Sequence, residues 1–294
     1  MIAILGAGSL GRLWAATLSA GQVAFVPRPG SMAEPARYTF QPVGRESFKV
    51  TVPWLKPGQI PRVLLVTTKA GDTLNALAAA LPALPETVPV VLFQNGLGSQ
   101  QAVADRWPSR PIIAASTTEG ANRPKPDTTV HAGLGETWMG ALTPAGHSCV
   151  AKVIEDLAPT DLVIHPVENV LGKLWQKLVI NAGINAFTAI LDCPNGDILE
   201  HPFYLHWIDP LCQEIAAVLK AAGQPAQTPG ALRQQIEGVA RKTATNTSSM
   251  RADVLAGRRT EIDFINGYLV KLGEQHGIAT PVNQMLAGQV QQLN

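Results

Sequence analysis

An apolar run, Ile2-Ala3-Ile4-Leu5, leads straight into Gly6-Ala7-Gly8-Ser9-Leu10-Gly11, and a helical pattern follows at once. This order leaves few folds open. The GxGxxG spacing is a weak signal alone. With a strand before it and a helix after it, it reads as the first turn of a βαβ unit. Gly6 would allow the tight turn, Gly8 would let the backbone approach a pyrophosphate, and Gly11 would let helix and strand pack closely. The helix N-terminus adds free N–H groups and positive potential for phosphates. A glycine-rich turn with no ligand is the alternative.

The rhythm continues. Leu10 to Leu18 reads as a helix and Val23 to Val26 as a strand. Val63 to Thr67, Val88 to Phe93 and Ile112 to Ser116 are uncharged apolar runs of the kind buried on both faces in a parallel sheet, with Asp72 to Leu81 helical between the first two. Pro27 to Gln59, rich in Pro and Gly, is ambiguous between strand and loop, with one strand near Phe48 to Val52. Thr128 to Val130 and Thr137 to Gly140, around Gly133 and Gly135, read as a hairpin, and Leu162 to Ile164 as the last strand. After Glu168 strand signals stop. Leu171 to Ile190, Phe203 to Ala222, Ala231 to Thr245 and Glu261 to Gly277 read as helices, with Gly223 to Pro229 a connector. The expected architecture is α/β, a mostly parallel doubly wound sheet, followed by an all-α part. The boundary falls near 167 to 169, giving domains of residues 1–168 and 169–294.

Composition narrows the function classes. Twenty-three Lys and Arg against 22 Asp and Glu give a net charge of +1, which argues against a nucleic-acid binder or a polybasic membrane-surface protein. With 46% hydrophobic residues the chain can build a large core, yet no apolar run is long enough for a membrane span. Cys149, Cys193 and Cys212 lie far apart without a CxxC pair, so neither a metal site nor a disulfide framework is expected. The opening lacks a basic n-region and a signal peptide; with the cysteine usage, this points to the cytoplasm.

Several polar residues have addresses that suit a ligand. In open α/β sheets ligands bind beyond the carboxyl ends of the strands. Lys69 follows the third apolar run, and Asn95-Gly96 follows the fourth. The second strand ends in Phe25-Val26-Pro27-Arg28-Pro29, with no acid before Glu34. A carboxylate there would select NAD; Arg28 could instead hold a 2′-phosphate, as in NADP. A turn lysine, an Asn-Gly turn and a solvated arginine are the plain alternatives.

Lys177, Asn181 and Asn185 are spaced i, i+4, i+8 on an otherwise apolar helix, so they form one stripe. Buried amides and an ammonium need polar partners, which a ligand in an interdomain cleft would supply. A lysine beside a ketone oxygen can polarise it and donate a proton. An exposed polar stripe is the alternative. The six histidines (His131, His147, His165, His201, His206 and His276) read as loop or surface positions without a role. Thr260 reads as an N-cap, with Asp263 at the capping-box offset and Glu261 in the first helical turn. Asn195 reads as an ordinary turn residue.

Taken in order, Gly6 to Gly11, Thr68-Lys69-Ala70, Gln94-Asn95-Gly96-Leu97-Gly98, Leu174 to Asn181, Ile184-Asn185, Cys193-Pro194-Asn195-Gly196, Ser248-Ser249-Met250 and Thr260 to Gly267 resemble the ketopantoate reductase (2-dehydropantoate 2-reductase) family. The match spans nearly the whole chain but does not extend to Pro29 to Gln59. It implies a Rossmann domain followed by a helical domain, and NADPH-dependent reduction of ketopantoate to pantoate in pantothenate biosynthesis. It implies that Lys177 is the general acid and that Asn181, Asn185, Asn195 and Ser249 hold the substrate carboxylate and hydroxyl. It also implies that Gly6, Ala7, Gly8, Ser9, Leu10 and Gly11 receive the cofactor, with Arg28, Lys69 and the backbone around Ala121. Asn95 would sit near nicotinamide and substrate, and Glu261 would orient groups there. A monomer or homodimer acting on a small molecule follows. Two other readings stay open: another NADP-dependent 2-oxo-acid or 3-hydroxy-acid oxidoreductase, since Lys177 and Asn181 also look like the pair of β-hydroxyacid dehydrogenases, and a non-catalytic NADP sensor.

Overall fold

The computed structural model describes residues 1–19, 21–28, 30 and 34–293. Pro29 and residues 31–33, part of the stretch read as ambiguous, lie outside them. The chain forms two compact units. One holds Met1–Gln94 and Ser99–Lys173; the other takes Asn95–Gly98 and the chain from Leu174 on.

In chain order the first unit runs β1 (Ile2–Leu5), α1 (Ser9–Thr17), β2 (Val23–Phe25), β3 (Ala36–Gln41), β4 (Phe48–Val52) and β5 (Val63–Val66). It continues α2 (Ala70–Ala80), β6 (Val90–Leu92), α3 (Ser99–Arg106), β7 (Ile112–Thr117), β8 (Gly120–Lys125) and β9 (Thr128–Gly133). It closes with β10 (Glu136–Ala141), α4 (Pro144–His147), α5 (Val150–Leu157) and β11 (Val163–Pro166). The main sheet has the order β11-β10-β7-β6-β5-β1-β2. From β2 to β7 all neighbours are parallel; β10 is antiparallel to β7. Along β1, Ile2 and Ile4 enter one apolar cluster with Leu13 and Trp14 of α1, while Ala3 and Leu5 enter another with Leu77 of α2. Both faces are covered, which is why these strands read as unbroken apolar runs rather than alternating ones.

A second sheet has the order β4-β3-β9-β8. The ambiguous stretch supplies the antiparallel pair β3–β4, with Tyr38 and Phe40 facing inward. The expected hairpin of Thr128 to Val130 with Thr137 to Gly140 does not form. β9 pairs instead with β8, and β10 crosses to the main sheet, where Thr137 lies opposite Thr117. Two features favour that crossing. The Thr137 hydroxyl donates to that of Thr117 (2.9 Å, buried), and Gly135 lies so close to the Thr118 backbone that a Cβ would sit 2.4 Å from its carbonyl carbon.

The second unit is helical: α6 (Val170–Ile190, from Leu174 on), α7 (Pro202–Ala221), α8 (Pro229–Lys242), α9 (Ser249–Leu255), α10 (Asn266–His276) and α11 (Pro281–Gln291). Phe187 of α6 meets Tyr204 of α7 edge to face at 4.9 Å. The helix expected from Glu261 to Gly277 is broken. Ile262–Phe264 form one 3-10 turn, Ile265 leaves helical geometry (φ −110°, ψ −93°), and α10 starts at Asn266. The Thr260 capping box and the place of Glu261 in a first α-helical turn fall with it: Glu261 stands at the N-cap position of the 3-10 turn, without a side-chain cap hydrogen bond. The break is tertiary in origin. The Phe264 carbonyl accepts from the backbone N–H of Leu97, a contact no local pattern announces. Among the described residues, no helix is long and apolar enough to cross a membrane.

Candidate active site

The first unit gathers the glycine-rich turn and its neighbours. Gly6 has φ +114°, and a Cβ there would sit 2.9 Å from the backbone of Thr67 and Thr68. At Gly11 a Cβ would meet the Gly6 carbonyl oxygen at 2.0 Å. Among the described residues, nothing lies within 4 Å of a Cβ built on Gly8, the residue before α1. Two glycines are thus required by packing, and the third leaves open space at a helix N-terminus. That combination suits a phosphate-bearing ligand. Arg28 is exposed just past β2, and Lys69 precedes α2, both beyond carboxyl ends of parallel strands. Gln94 donates to the carbonyls of Val66 and Thr68, tying the exits of β5 and β6 together. Ala121 is the second residue of β8, beside a register shift, and packs against the same apolar cluster as Ala7 and Leu10 of the turn.

His131 corrects the reading of the histidines as loop or surface groups. It lies on β9, buried, with Nε2 2.6 Å from Oε2 of Glu119. Thr129 and His131 both face inward, so the two-residue alternation of a strand could have placed it.

The second unit assembles the candidate chemistry. Lys177 lies on α6, its side chain partly buried, and Leu178 and Val179 beside it are fully in the core. Burial pulls its ammonium down from the ordinary 10.5 to about 8, against an opposing pull from the charge of Glu261. Glu261 is itself buried, and its Oε2 accepts from Asn95 Nδ2 at 2.9 Å. Asn95 reaches it because the Asn95–Gly98 segment is held by the hydrogen bond from the Leu97 N–H to the Phe264 carbonyl at 2.9 Å. Gly96, with φ +76°, lies so close to Phe264 that a Cβ would sit 2.1 Å from the carbonyl oxygen. Lys177, Glu261 and Asn95 therefore form one constellation from three stretches of chain. Such a set can hold a proton at near-neutral pH and deliver it to an oxygen.

Asn181 and Asn185 follow Lys177 on α6 at the helical spacing; Asn185 is buried. Asn195 lies in a turn, as read, but a buried one. Its side chain is buried, with Nδ2 donating to Thr243 Oγ1 at 2.9 Å and Oδ1 without a partner among the described residues. Ser249 is exposed at the first position of α9, whereas Ser248 is buried, accepting from Arg251 N and sharing a 2.7 Å hydrogen bond with Thr188 of α6.

Comparisons with known proteins place the fold first. A D-mandelate dehydrogenase solved with NADH and anilino(oxo)acetate superposes with a TM-score of 0.87 at 21% identity, covering 99% of this chain and 97% of that one. That likeness concerns the fold alone: an N-terminal Rossmann-type α/β unit and a C-terminal helical one. The PanE/ApbA family ketopantoate reductase of Ralstonia eutropha superposes with a TM-score of 0.85 at 25% identity over 99% of this chain and 97% of its own. The 2-dehydropantoate 2-reductase of Vibrio cholerae is 37% identical over 99% of this chain and 97% of its own length. The family descriptions "Ketopantoate reductase PanE/ApbA" and "Ketopantoate reductase PanE/ApbA C terminal" match residues 2–144 and 169–294. The chain belongs to the ketopantoate reductase (PanE/ApbA) family, oxidoreductases of pantothenate biosynthesis.

Proposed function

We infer that this protein reduces 2-dehydropantoate to pantoate with NADPH, and that Lys177 is the proton donor. The observation that carries this reading is the Lys177–Glu261–Asn95 constellation, with an ammonium whose affinity for its proton is set near neutral pH. Residues 1–168 would bind the cofactor and 169–294 would supply the substrate and proton-transfer groups. The cradle of Gly6, Gly8 and Gly11 at the N-terminus of α1 suits a pyrophosphate, with Ala7, Ser9 and Leu10 completing it. Lys69 and the Ala121 backbone would join it there, and Arg28 would read a 2′-phosphate, where an acid would repel it. When bound, the cofactor supplies the hydride that C2 of the keto acid accepts.

The chain's own residues do the rest. Lys177 would bind the keto oxygen, polarise it, and give up its proton as charge develops there. Glu261 would hold that proton on Lys177 beforehand and fix the Asn95 amide. Asn181, Asn185, Asn195 and Ser249 would orient the carboxylate and hydroxyl of the substrate, and the unpartnered Oδ1 of Asn195 suits a hydroxyl donor. The test is NADPH oxidation followed by absorbance with ketopantoate, set against 2-oxoisovalerate, which lacks the hydroxyl, and with NADH in parallel. Fast turnover only with ketopantoate and NADPH is expected. Preference for the other oxo acid would keep the proton chemistry and move the substrate; binding of NADPH without turnover would refute catalysis.

A further inference from the structure

The Thr260-to-Gly267 motif contains a residue that the reaction as described does not use. Asn266, the first residue of α10, is fully buried. Its Nδ2 donates to the Ala182 carbonyl of α6 at 3.2 Å and to Asn283 Oδ1 of α11 at 3.1 Å. Asn283, also fully buried, donates through Nδ2 to Oε2 of Glu214 on α7 at 2.8 Å. The same carboxylate accepts from the backbone N–H groups of Val282 (2.7 Å) and Asn283 (3.0 Å), in the first turn of α11.

This network has a direction. A carboxylate that accepts from helix N–H groups also demands a donor from Asn283, so Asn283 must turn its NH₂ to Glu214 and its oxygen away. That oxygen then demands a donor from Asn266. The amide orientation of Asn266 is thereby fixed, and its second hydrogen is aimed at α6. Ala182 is the residue after Asn181 on that helix. On the other side of the same short segment, Glu261 accepts from Asn95, and Phe264 accepts from Leu97. A buried polar set is retained here although apolar packing of equal volume would often be no less stable. What it adds is a single allowed arrangement of α6 against the turn.

We propose that Asn266 is a positioning residue for the reaction: anchored through Asn283 to Glu214, it locks the turn that carries Glu261 onto the helix that carries Lys177. This rests on the reading of Lys177 as proton donor. Among the described residues the charge that acts on Lys177 is Glu261, so a loosened turn weakens the hold of Lys177 on its proton.

The experiment compares the parent with Asn266→Ala, Glu261→Gln and the double variant, after thermal melts establish that each is folded. Asn266→Ser, which keeps one hydrogen to donate, replaces Asn266→Ala if the latter does not fold. Two quantities are read: the pH dependence of kcat, and the pH dependence of Lys177 acetylation by trace reagent with mass-spectrometric detection, which needs no turnover. Asn266→Ala should lower kcat ~10- to 100-fold with KM for ketopantoate changed far less, as expected for a displaced catalytic group. It should also weaken proton binding at Lys177 on the order of threefold to tenfold, in the same direction as Glu261→Gln. The double variant should go no further than Glu261→Gln alone. An unmoved Lys177 titration in Asn266→Ala, or additive effects in the double variant, would overturn the proposal. If Glu261→Gln itself leaves Lys177 unmoved, the pairing beneath the proposal fails instead.

Discussion

Replacing Lys177 by Met should stabilise the protein, and only over a defined pH range. The Lys177 ammonium is pulled from the ordinary 10.5 to about 8 by burial, with Glu261 opposing. Each pH unit between the two values corresponds to ~1.4 kcal/mol. The charged form therefore costs the fold about 3 kcal/mol wherever both states are protonated, below about pH 8. Between 8 and 10.5 the unfolded chain keeps its proton while the folded one releases it. The unfolded state then binds more protons, so stability rises with pH across that window. A methionine fills similar space with no charge and no such dependence. Lys177→Met should exceed the parent by about 3 kcal/mol near neutrality, and the difference should vanish toward pH 10.5. Urea titrations of both proteins, read by tryptophan fluorescence across the window, measure it. The slope of the difference against pH is the test, since its offset also includes the lost attraction for Glu261. Parallel curves would mean an ordinary, solvated ammonium and would refute the reasoning. The same value governs the chemistry: a proton donor with this acidity keeps kcat/KM level below about pH 8 and loses tenfold per unit above it.

Three further outcomes follow from particular contacts. Gly96→Ala sets a Cβ 2.1 Å from the Phe264 carbonyl oxygen at a φ of +76°; a loss of about 3 kcal/mol or more is expected by thermal melt, with a fall in kcat because Asn95 is displaced. An unaltered Tm would show that the turn yields freely. Arg28→Ala should raise KM for NADPH roughly tenfold and leave NADH unaffected, the scale of one charge-assisted hydrogen bond; equal effects would reject it as the phosphate reader. Ser248→Ala should lose about 1–2 kcal/mol of stability through its cap and its bond to Thr188, whereas Ser249→Ala should leave Tm alone and raise KM for the keto acid. The reverse pattern in steady-state kinetics and melts would exchange their roles.

Much of the fold is written in short-range patterns. The parallel strands are legible because both faces of the sheet are covered, and Gly6 and Gly11 because their backbones allow no Cβ. The Lys177, Asn181 and Asn185 stripe follows from the helical repeat. What escapes is set by contacts between distant stretches. Ile262, Ile265 and Leu269 continue a helical periodicity, so nothing local reveals that Leu97 takes the Phe264 carbonyl and breaks the helix. β9 and β10 have strand patterns, but choice of partner depends on Thr117 and on the space around Gly135. Tyr38, Phe40, Thr129 and His131 do alternate as strand residues facing one core; the second sheet was within reach of that signal.

The tetrapeptide Asn95–Gly98 also bears on how the chain is made. Asn95 and its partner Glu261 are 166 residues apart. During synthesis the first five parallel strands can emerge and pair while that short loop still has nothing to dock against. Its partner turn appears only near the end of translation. The Asn95–Glu261 contact is therefore completed late, and closing it carries the entropy of a long loop. For the same reason the chain passes between its two units at 94/95, 98/99 and 173/174 rather than once. A chimera joined at a single point near residue 170 would import Lys177 and Glu261 from one parent and Asn95 from the other. Recombination within such a family is then constrained by a loop of four residues as much as by the helices themselves.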